Sequence, residues 1–391
     1  MNTTPTNLPR ASHSGYDVVI IGAGVFGLWT AHKLHAMGKR VAVIDAAEPA
    51  HALAASSGES RVARCGYGDR EIYAEWAWQS LGEWRALAER AKAPLFQATG
   101  VLWVHKRHDE DVAATARVLA RYEIPFQTLN ADELRRRYPF MRVDDDESGF
   151  MEPAGGALMA RRAIRFLAAE LASGGVTFLR GRVMPVRGEQ GLHGALPAVT
   201  THDGQRIEAG QFVFACGSWL DRACPQAMAK RLAVTRQEVC FFDVGEGATG
   251  KLPVWADLPF YGFPRLDGRG FKVACHQHGP AMDPDTSDRE VGKAGEDAAR
   301  AFLARRFPAL AEAPLSAGKV CQYANTLDGH FVIDQHPGLD NVWLVGGGSG
   351  HGFKHGPAVG RHAAELVAGV AVPRDPFRLV TKPAQGKPSV D

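Results

Sequence analysis

No C-x-x-C pair occurs in this sequence. Its six cysteines, at positions 65, 216, 224, 240, 275 and 321, are scattered over 391 residues, which argues against a zinc ribbon or disulfide framework and for a reducing compartment. No apolar run is long enough to cross a bilayer, so no membrane partner is expected. The first fourteen residues, MNTTPTNLPRASHS, are polar and lack the apolar core of a secretion signal. They are expected to fray, as are residues 381–391, and a cytoplasmic location is expected. Charge is nearly balanced at a formal +2, and no Lys/Arg cluster is interleaved with aromatics, so no nucleic acid is expected as a partner. The histidines at 276, 278, 330, 336 and 351 show no ligand spacing, and no metal is expected. Repeats and low-complexity tracts are also missing. What remains is an ordinary globular composition, long enough for two or three domains at roughly 150 residues each.

The first positive signal is Y-D-V-V-I-I-G-A-G-V-F-G at Tyr16–Gly27. A β-branched run reads as a buried strand, and Gly22, Gly24 and Gly27 spell G-x-G-x-x-G. A helical stretch follows to Met37, Gly38 stops it, and Arg40 to Ile44 makes a second buried strand ending at Asp45. That context specifies a dinucleotide site. Gly22 permits the tight turn, Gly24 lets backbone approach a pyrophosphate, Gly27 allows close helix–strand packing, and Asp45 accepts from ribose hydroxyls. The motif by itself does not separate NAD from FAD.

A second strand–loop–helix lies at the other end of the chain. Val342 to Val345 reads as a buried strand, Gly346 to Gly352 as a glycine-dense loop, and the residues to Val367 as a helix with Pro357 in its first turn. Between the two ends, Q-F-V-F-A-C-G-S-W (Gln211 to Trp219) reads as a strand ending in a small-residue turn. A nicotinamide domain has no obvious need of the closing element. A reduced flavin does, because negative charge gathers at one edge of its ring and a helix N-terminus stabilises an anion. The expected cofactor is therefore FAD, enclosed by both ends of the chain.

Together these motifs resemble the monomeric sarcosine oxidase and N-methyltryptophan oxidase family, within the larger D-amino-acid-oxidase-like group of flavoproteins. The likeness runs from about Tyr16 to about Phe377. It is carried by the nucleotide motif and by S-G-E-S-R-V-A-R-C-G-Y-G (Ser57 to Gly68), Y-G-F-P (Tyr261 to Pro264), G-F-K-V-A-C-H (Gly270 to His276), C-Q-Y-A-N-T-L-D-G-H-F-V-I-D (Cys321 to Asp334) and S-G-H-G-F-K (Ser349 to Lys354). The resemblance implies FAD held covalently through Cys321, with Ser60, Arg61, Gly350, Gly352 and Lys354 about the cofactor. It implies Arg64 and Lys354 as the clamp for a substrate carboxylate, a bidentate fork beside a point charge. It implies Tyr261 and Tyr323, with Tyr67 as a third candidate, as pocket aromatics. His276 is implied beside the substrate amine, and Lys272 as the cation that activates dioxygen. The substrate would be a small secondary amino acid, oxidised to an imine with O2 reduced to H2O2 by a monomer. A dehydrogenase using another acceptor, and a flavin-binding subunit without turnover, stay open as readings.

Three departures stand out. Cys65 replaces a histidine, Gly347 replaces a bulky residue, and H-G-P-A (His355 to Ala358) follows the lysine. The expected fold is α/β, in the α+β two-domain sense, with a Rossmann-like FAD-binding domain and a second, mostly antiparallel sheet domain. Residues 15–90, 146–217 and 321–380 are assigned to the first domain, 91–145 and 218–320 to the second. The segment L-N-A-D-E-L-R-R-R-Y-P reads as a capped helix, and Asp144 to Glu147 as a charged surface turn. The arginine pairs at Arg161 and Arg305 are expected on solvated helix faces. Arg61 and Arg64 would share a face if their segment is helical.

Overall fold

The computed structural model describes residues 15–186 and 194–382; the expected N-terminal tail lies outside the described residues. Two sheets dominate. In the first, the strand Tyr16–Ile21 pairs in parallel with Val41–Asp45 and with Arg206–Phe214. Leu339–Gly346 extends the sheet beyond Arg206–Phe214, and Thr177–Arg180 extends it beyond Val41–Asp45. Val18–Ile21, Val41–Ile44 and Phe212–Phe214 are apolar at every position because both faces of the sheet are covered there. Val18, Ile20, Val43 and Val213 face one core, while Val19, Ile21, Ile44, Phe212 and Phe214 face another. The helix Val25–Ala36 packs across the helix Gly356–Val367, so the two ends of the chain meet directly. Their contact needs Gly360, where a Cβ would stand 2.4 Å from the Trp29 backbone.

The second sheet has eight strands in the order Leu315–Thr326, Leu232–Phe242, Phe271–Cys275, Phe260–Phe263, Val254–Asp257, Val101–Lys106, Glu147–Glu152 and Gln127–Asn130. All its pairings are antiparallel except that of Val254–Asp257 with Val101–Lys106. Period-two alternation then sorts the side chains. One face carries Cys240, Phe242, Trp255, Phe271 and Val273, packed beneath the helix Lys293–Arg306. The other carries Tyr261, Lys272, Lys319, Cys321 and Tyr323, and turns toward the first sheet. The fold is thus the expected mixture of a Rossmann-like and a mostly antiparallel sheet.

Several local expectations change. Glu147–Glu152 pairs in the eight-stranded sheet rather than with the nucleotide half, and Leu315–Thr326 runs through the expected boundary at 320/321. Arg61–Ala63 is a short strand, so Arg61 and Arg64 share no helical face. Asn130 caps its helix with a reciprocal capping box, as read. The turn at Asp144 is only partly a surface feature. Glu147 is buried and binds Arg306, which also binds Asp257 at 2.8 Å. Arg306 is therefore an internal cation, not part of a solvated face. Lys382, placed in the expected C-terminal tail, is buried with its ammonium 2.8 Å from Asp328.

Candidate active site

A groove of about 600 Å³ opens along the carboxyl ends of the parallel strands, where open α/β sheets place ligands. Gly22, Gly24, Asp45, Cys321, Tyr323, Gly350 and Gly352 border it. Gly22 has φ +114°, and a Cβ there would meet the Ala215 carbonyl at 2.4 Å, so no other residue fits the turn. Gly27 does not reach the groove; its missing Cβ makes room for the Gly22 carbonyl. Asp45 braces the same loop, accepting from the Ala23 N–H at 2.7 Å and the Ala47 N–H at 3.0 Å. The first helical N–H, of Val25, donates to Ser56 Oγ at 3.1 Å.

At the far end of the groove several cations gather. The Cys321 sulfur lies 3.5 Å from an Arg61 guanidinium nitrogen, and Arg61 is held by the carbonyls of Ala55 and Ser60. Lys272 is 3% exposed and donates to Ser60 O and Oγ at 3.2 and 3.3 Å, with its ammonium 4.4 Å from the Phe263 ring centroid. Burial, then the Arg61 charge, pushes its pKa well below the usual lysine value. Neither Lys272 nor Ser60 borders this groove. Lys319, on the same face as Cys321, donates to Ser57 O at 3.0 Å, and burial lowers its pKa to about 8. Sequence reasoning missed Lys319; the K-x-C-x-Y alternation was the signal for it.

A second cavity, also about 600 Å³, meets the groove at Arg61, Tyr323, Gly350 and Phe353. Arg64, Tyr261, His276 and Lys354 border it. The Arg64 guanidinium carbon lies 4.4 Å from the Tyr67 ring centroid and 4.6 Å from that of Trp103, and the guanidinium donates to the Gly66 carbonyl. Lys354 is buried, donates to the His351 carbonyl at 3.1 Å and lies 4.9 Å from the Tyr67 ring centroid. Burial, then Arg64, drives its pKa well below the usual value. Across the cavity His276 Nδ1 is 3.3 Å from the Tyr323 hydroxyl, and the Tyr261 ring stands edge-on to the imidazole.

Tyr67 is buried, and its hydroxyl lies between His351 Nδ1 at 3.2 Å and His355 Nε2 at 2.8 Å. His351 Nε2 faces the Gly329 carbonyl at 3.1 Å and so carries the proton. The consistent chain runs from His355 Nε2–H to Tyr67 O and from Tyr67 O–H to His351 Nδ1. Both rings are neutral, because burial and then the Lys354 charge push their pKa values well below normal.

The profile of the DAO family, described as FAD dependent oxidoreductase, matches residues 17–366. The chain belongs to this family. Within it, the chain is 31% identical over 368 residues to a monomeric sarcosine oxidase of Bacillus sp. (strain B-0618), spanning 90% of this chain and 92% of that one. It is 28% identical to the peroxisomal sarcosine oxidase of Homo sapiens, spanning 95% and 97%. It is 27% identical to N-methyl-L-tryptophan oxidase of Yersinia pestis, spanning 89% and 94%. Among solved structures, NikD, an amino acid oxidase of nikkomycin biosynthesis, superposes with a TM-score of 0.76 at 22% identity, covering 94% of this chain and 97% of its own. Amadoriase II of Aspergillus fumigatus gives 0.77 at 23%, covering 94% and 90%. These two likenesses concern the fold.

The DAO enzyme is an FAD-dependent oxidoreductase, and its groove fits that cofactor. Gly22, Gly24 and Asp45 border one end of the groove and Arg61 and Cys321 border it too, so the chemistry for a pyrophosphate and ribose and that for an electron-rich ring lie in one continuous space. A Cβ at Gly350, φ +77°, would strike the Tyr323 ring at 2.6 Å, so the glycine lets this loop close against the tyrosine. The departures also find reasons. Gly347 has φ +64° and a Cβ there would meet Thr326 at 2.5 Å, which leaves no room for a bulky residue. The Cys65 thiol is buried, and desolvation, then Glu152, pushes its pKa well above the usual value, so it stays an unreactive thiol. His355 belongs to the Tyr67 chain. Trp103 and Glu152 were not singled out from sequence: Trp103 sat in the strand-like run G-V-L-W-V, and nothing beside Glu152 marked its contacts. Among the described residues no helix is long and apolar enough to cross a membrane, and no cluster of metal-ligating residues occurs.

Proposed function

We infer that this DAO enzyme oxidises a secondary amino acid to an imine and passes the electrons to dioxygen, giving hydrogen peroxide. The substrate class is sarcosine, another N-methyl amino acid or a cyclic imino acid. One observation carries the reading: Arg64 and Lys354 converge in a cavity that joins the FAD groove. A lysine so strongly desolvated is stabilised by a bound anion, and a ring-stacked arginine presents a fixed fork to a carboxylate. The names of the sarcosine and N-methyltryptophan oxidases support the same class.

A flavin held in the groove would supply a two-electron acceptor for the hydride of the carbon beside the amine. The chain's own residues do the rest. Arg64 and Lys354 fix the carboxylate and so the carbon's orientation. Only an unprotonated amine can release a hydride from its neighbouring carbon, and His276, linked to the Tyr323 hydroxyl, holds the amine in that form. The faces of Tyr261 and Tyr323 favour the positive charge that grows on nitrogen. Cys321 would hold the cofactor through sulfur, and Lys272 would provide the cation for oxygen reduction. The enzyme works as a monomer in the cytoplasm.

Arg64→Ala tests the clamp. KM for N-methylglycine is expected to rise about 10- to 100-fold, the loss of a charge-assisted pair. KM for the methyl ester should change by less than about three-fold. Equal losses for acid and ester would remove Arg64 from the clamp.

A further inference from the structure

Glu152, at the end of the strand Glu147–Glu152, is 2% exposed. Its Oε2 accepts from the Cys65 N–H at 2.5 Å; its Oε1 accepts from the Gly66 N–H at 3.2 Å and from Trp103 Nε1 at 3.1 Å. A buried carboxylate is costly unless paired, and among the described residues this one is met by N–H groups rather than by a paired cation. Its donors have one thing in common. Cys65 and Gly66 lead from Arg64 to Tyr67, one ring in contact with the guanidinium, and Trp103 is a second ring in contact with it. The Gly66 residue is gripped twice, through its N–H by Glu152 and through its carbonyl by Arg64.

We propose that Glu152 is the positioning residue of the carboxylate clamp, fixing both aromatic rings against which Arg64 is held. This rests on the clamp reading above. Glu152 never touches the substrate. It ties the loop 64–68 and the strand Val101–Lys106 to one rigid point, so that the guanidinium meets a carboxylate in a single orientation.

The sign of one effect separates this role from a mere contribution to the local charge. Glu152 is a negative group near Arg64 and Lys354. By charge alone, its neutralisation should tighten the binding of an anion. If it positions the clamp, its neutralisation loosens that binding, because Glu152→Gln sets an amide N–H donor against N–H donors.

The test uses the FAD-loaded enzyme and two probes that cannot be oxidised to an imine, furan-2-carboxylate and its neutral relative furan-2-carboxamide. Binding is read from the perturbation of the flavin absorbance. The parent should prefer the carboxylate. Glu152→Gln and Glu152→Asp should each weaken carboxylate binding by about ten-fold and leave the carboxamide within about two-fold. Asp keeps the charge but draws it back, so it stands as the readable variant if Gln does not fold. Trp103→Phe, which keeps a ring but loses one donor, should weaken the carboxylate by less than about three-fold. Unchanged or tighter carboxylate binding in both Glu152 variants overturns the positioning role alone. A parent that binds the two probes alike overturns the clamp and this role with it.

Discussion

Cys321→Ala protein is expected to release all of its flavin into the supernatant on acid precipitation, while the parent pellet stays yellow. A thioether survives denaturation; a groove held by hydrogen bonds and packing does not. The geometry that leads to this expectation is local. Cys321 borders the groove from the open face of the eight-stranded sheet, beside the Arg61 guanidinium. The structure also sharpens the control, because a second cysteine, Cys216, borders the same groove. Cys216 lies at the nucleotide end, with its sulfur 3.5 Å from the Ile21 carbonyl, and desolvation holds its pKa well above the usual value. It is a poor nucleophile. Cys216→Ala protein should therefore keep a yellow pellet. Colour lost from the Cys216 variant and kept by the Cys321 variant would reverse the assignment, and colour lost from the parent would remove the tether.

Lys272→Met is expected to slow reoxidation of the reduced enzyme by dioxygen about 100- to 1000-fold, the usual scale for removing a cation or donor aimed at a developing anion. Anaerobic reduction by substrate should change by less than about five-fold, since the clamp lies elsewhere. Reduction of dioxygen begins with one electron and creates superoxide. A desolvated ammonium stabilises that charge far more than a hydrated one would. The position of Lys272 makes the experiment informative. Its ammonium is bound to Ser60, the chain neighbour of Arg61, and borders neither of the two cavities. Stopped-flow traces of the two half-reactions decide the matter. Equal loss in both halves would reject a specific oxygen role, and unaltered reoxidation would assign that role to another cation of the corner, Arg61 or Lys319.

The parts of this site that could be read from sequence are those made by short-range rules. G-x-G-x-x-G between two apolar runs marks a strand–turn–helix from neighbouring residues alone, although the contact that requires Gly22, with the Ala215 carbonyl, comes from far along the chain. The alternation in K-V-C-Q-Y places Lys319, Cys321 and Tyr323 on one face of any strand, wherever that strand lies. Other features depend on residues far apart in the chain. Glu152 meets Cys65 across 87 positions, and nothing near either residue announces the contact. Trp103 reads as an ordinary strand aromatic until Arg64 is brought to its face. Arg306 reads as a helix-surface cation, yet Glu147 and Asp257 bury it. The shared face that Arg61 and Arg64 would have had on a helix is missing for a related reason. Three residues are too few to show a period, and pairing with Gly156–Leu158 made them a strand.

The central claim is that cations at Arg64 and Lys354 present an amino acid carboxylate to a flavin bound in the adjoining groove. Anaerobic mixing with a panel of secondary amino acids, each beside its methyl ester, tests it most directly through the visible flavin band. The account predicts rapid bleaching by at least one free acid, little or none by its ester at the same concentration, and one equivalent of hydrogen peroxide per flavin when air is admitted. Bleaching that is indifferent to the carboxylate, or a band untouched by every member of the panel, would contradict it.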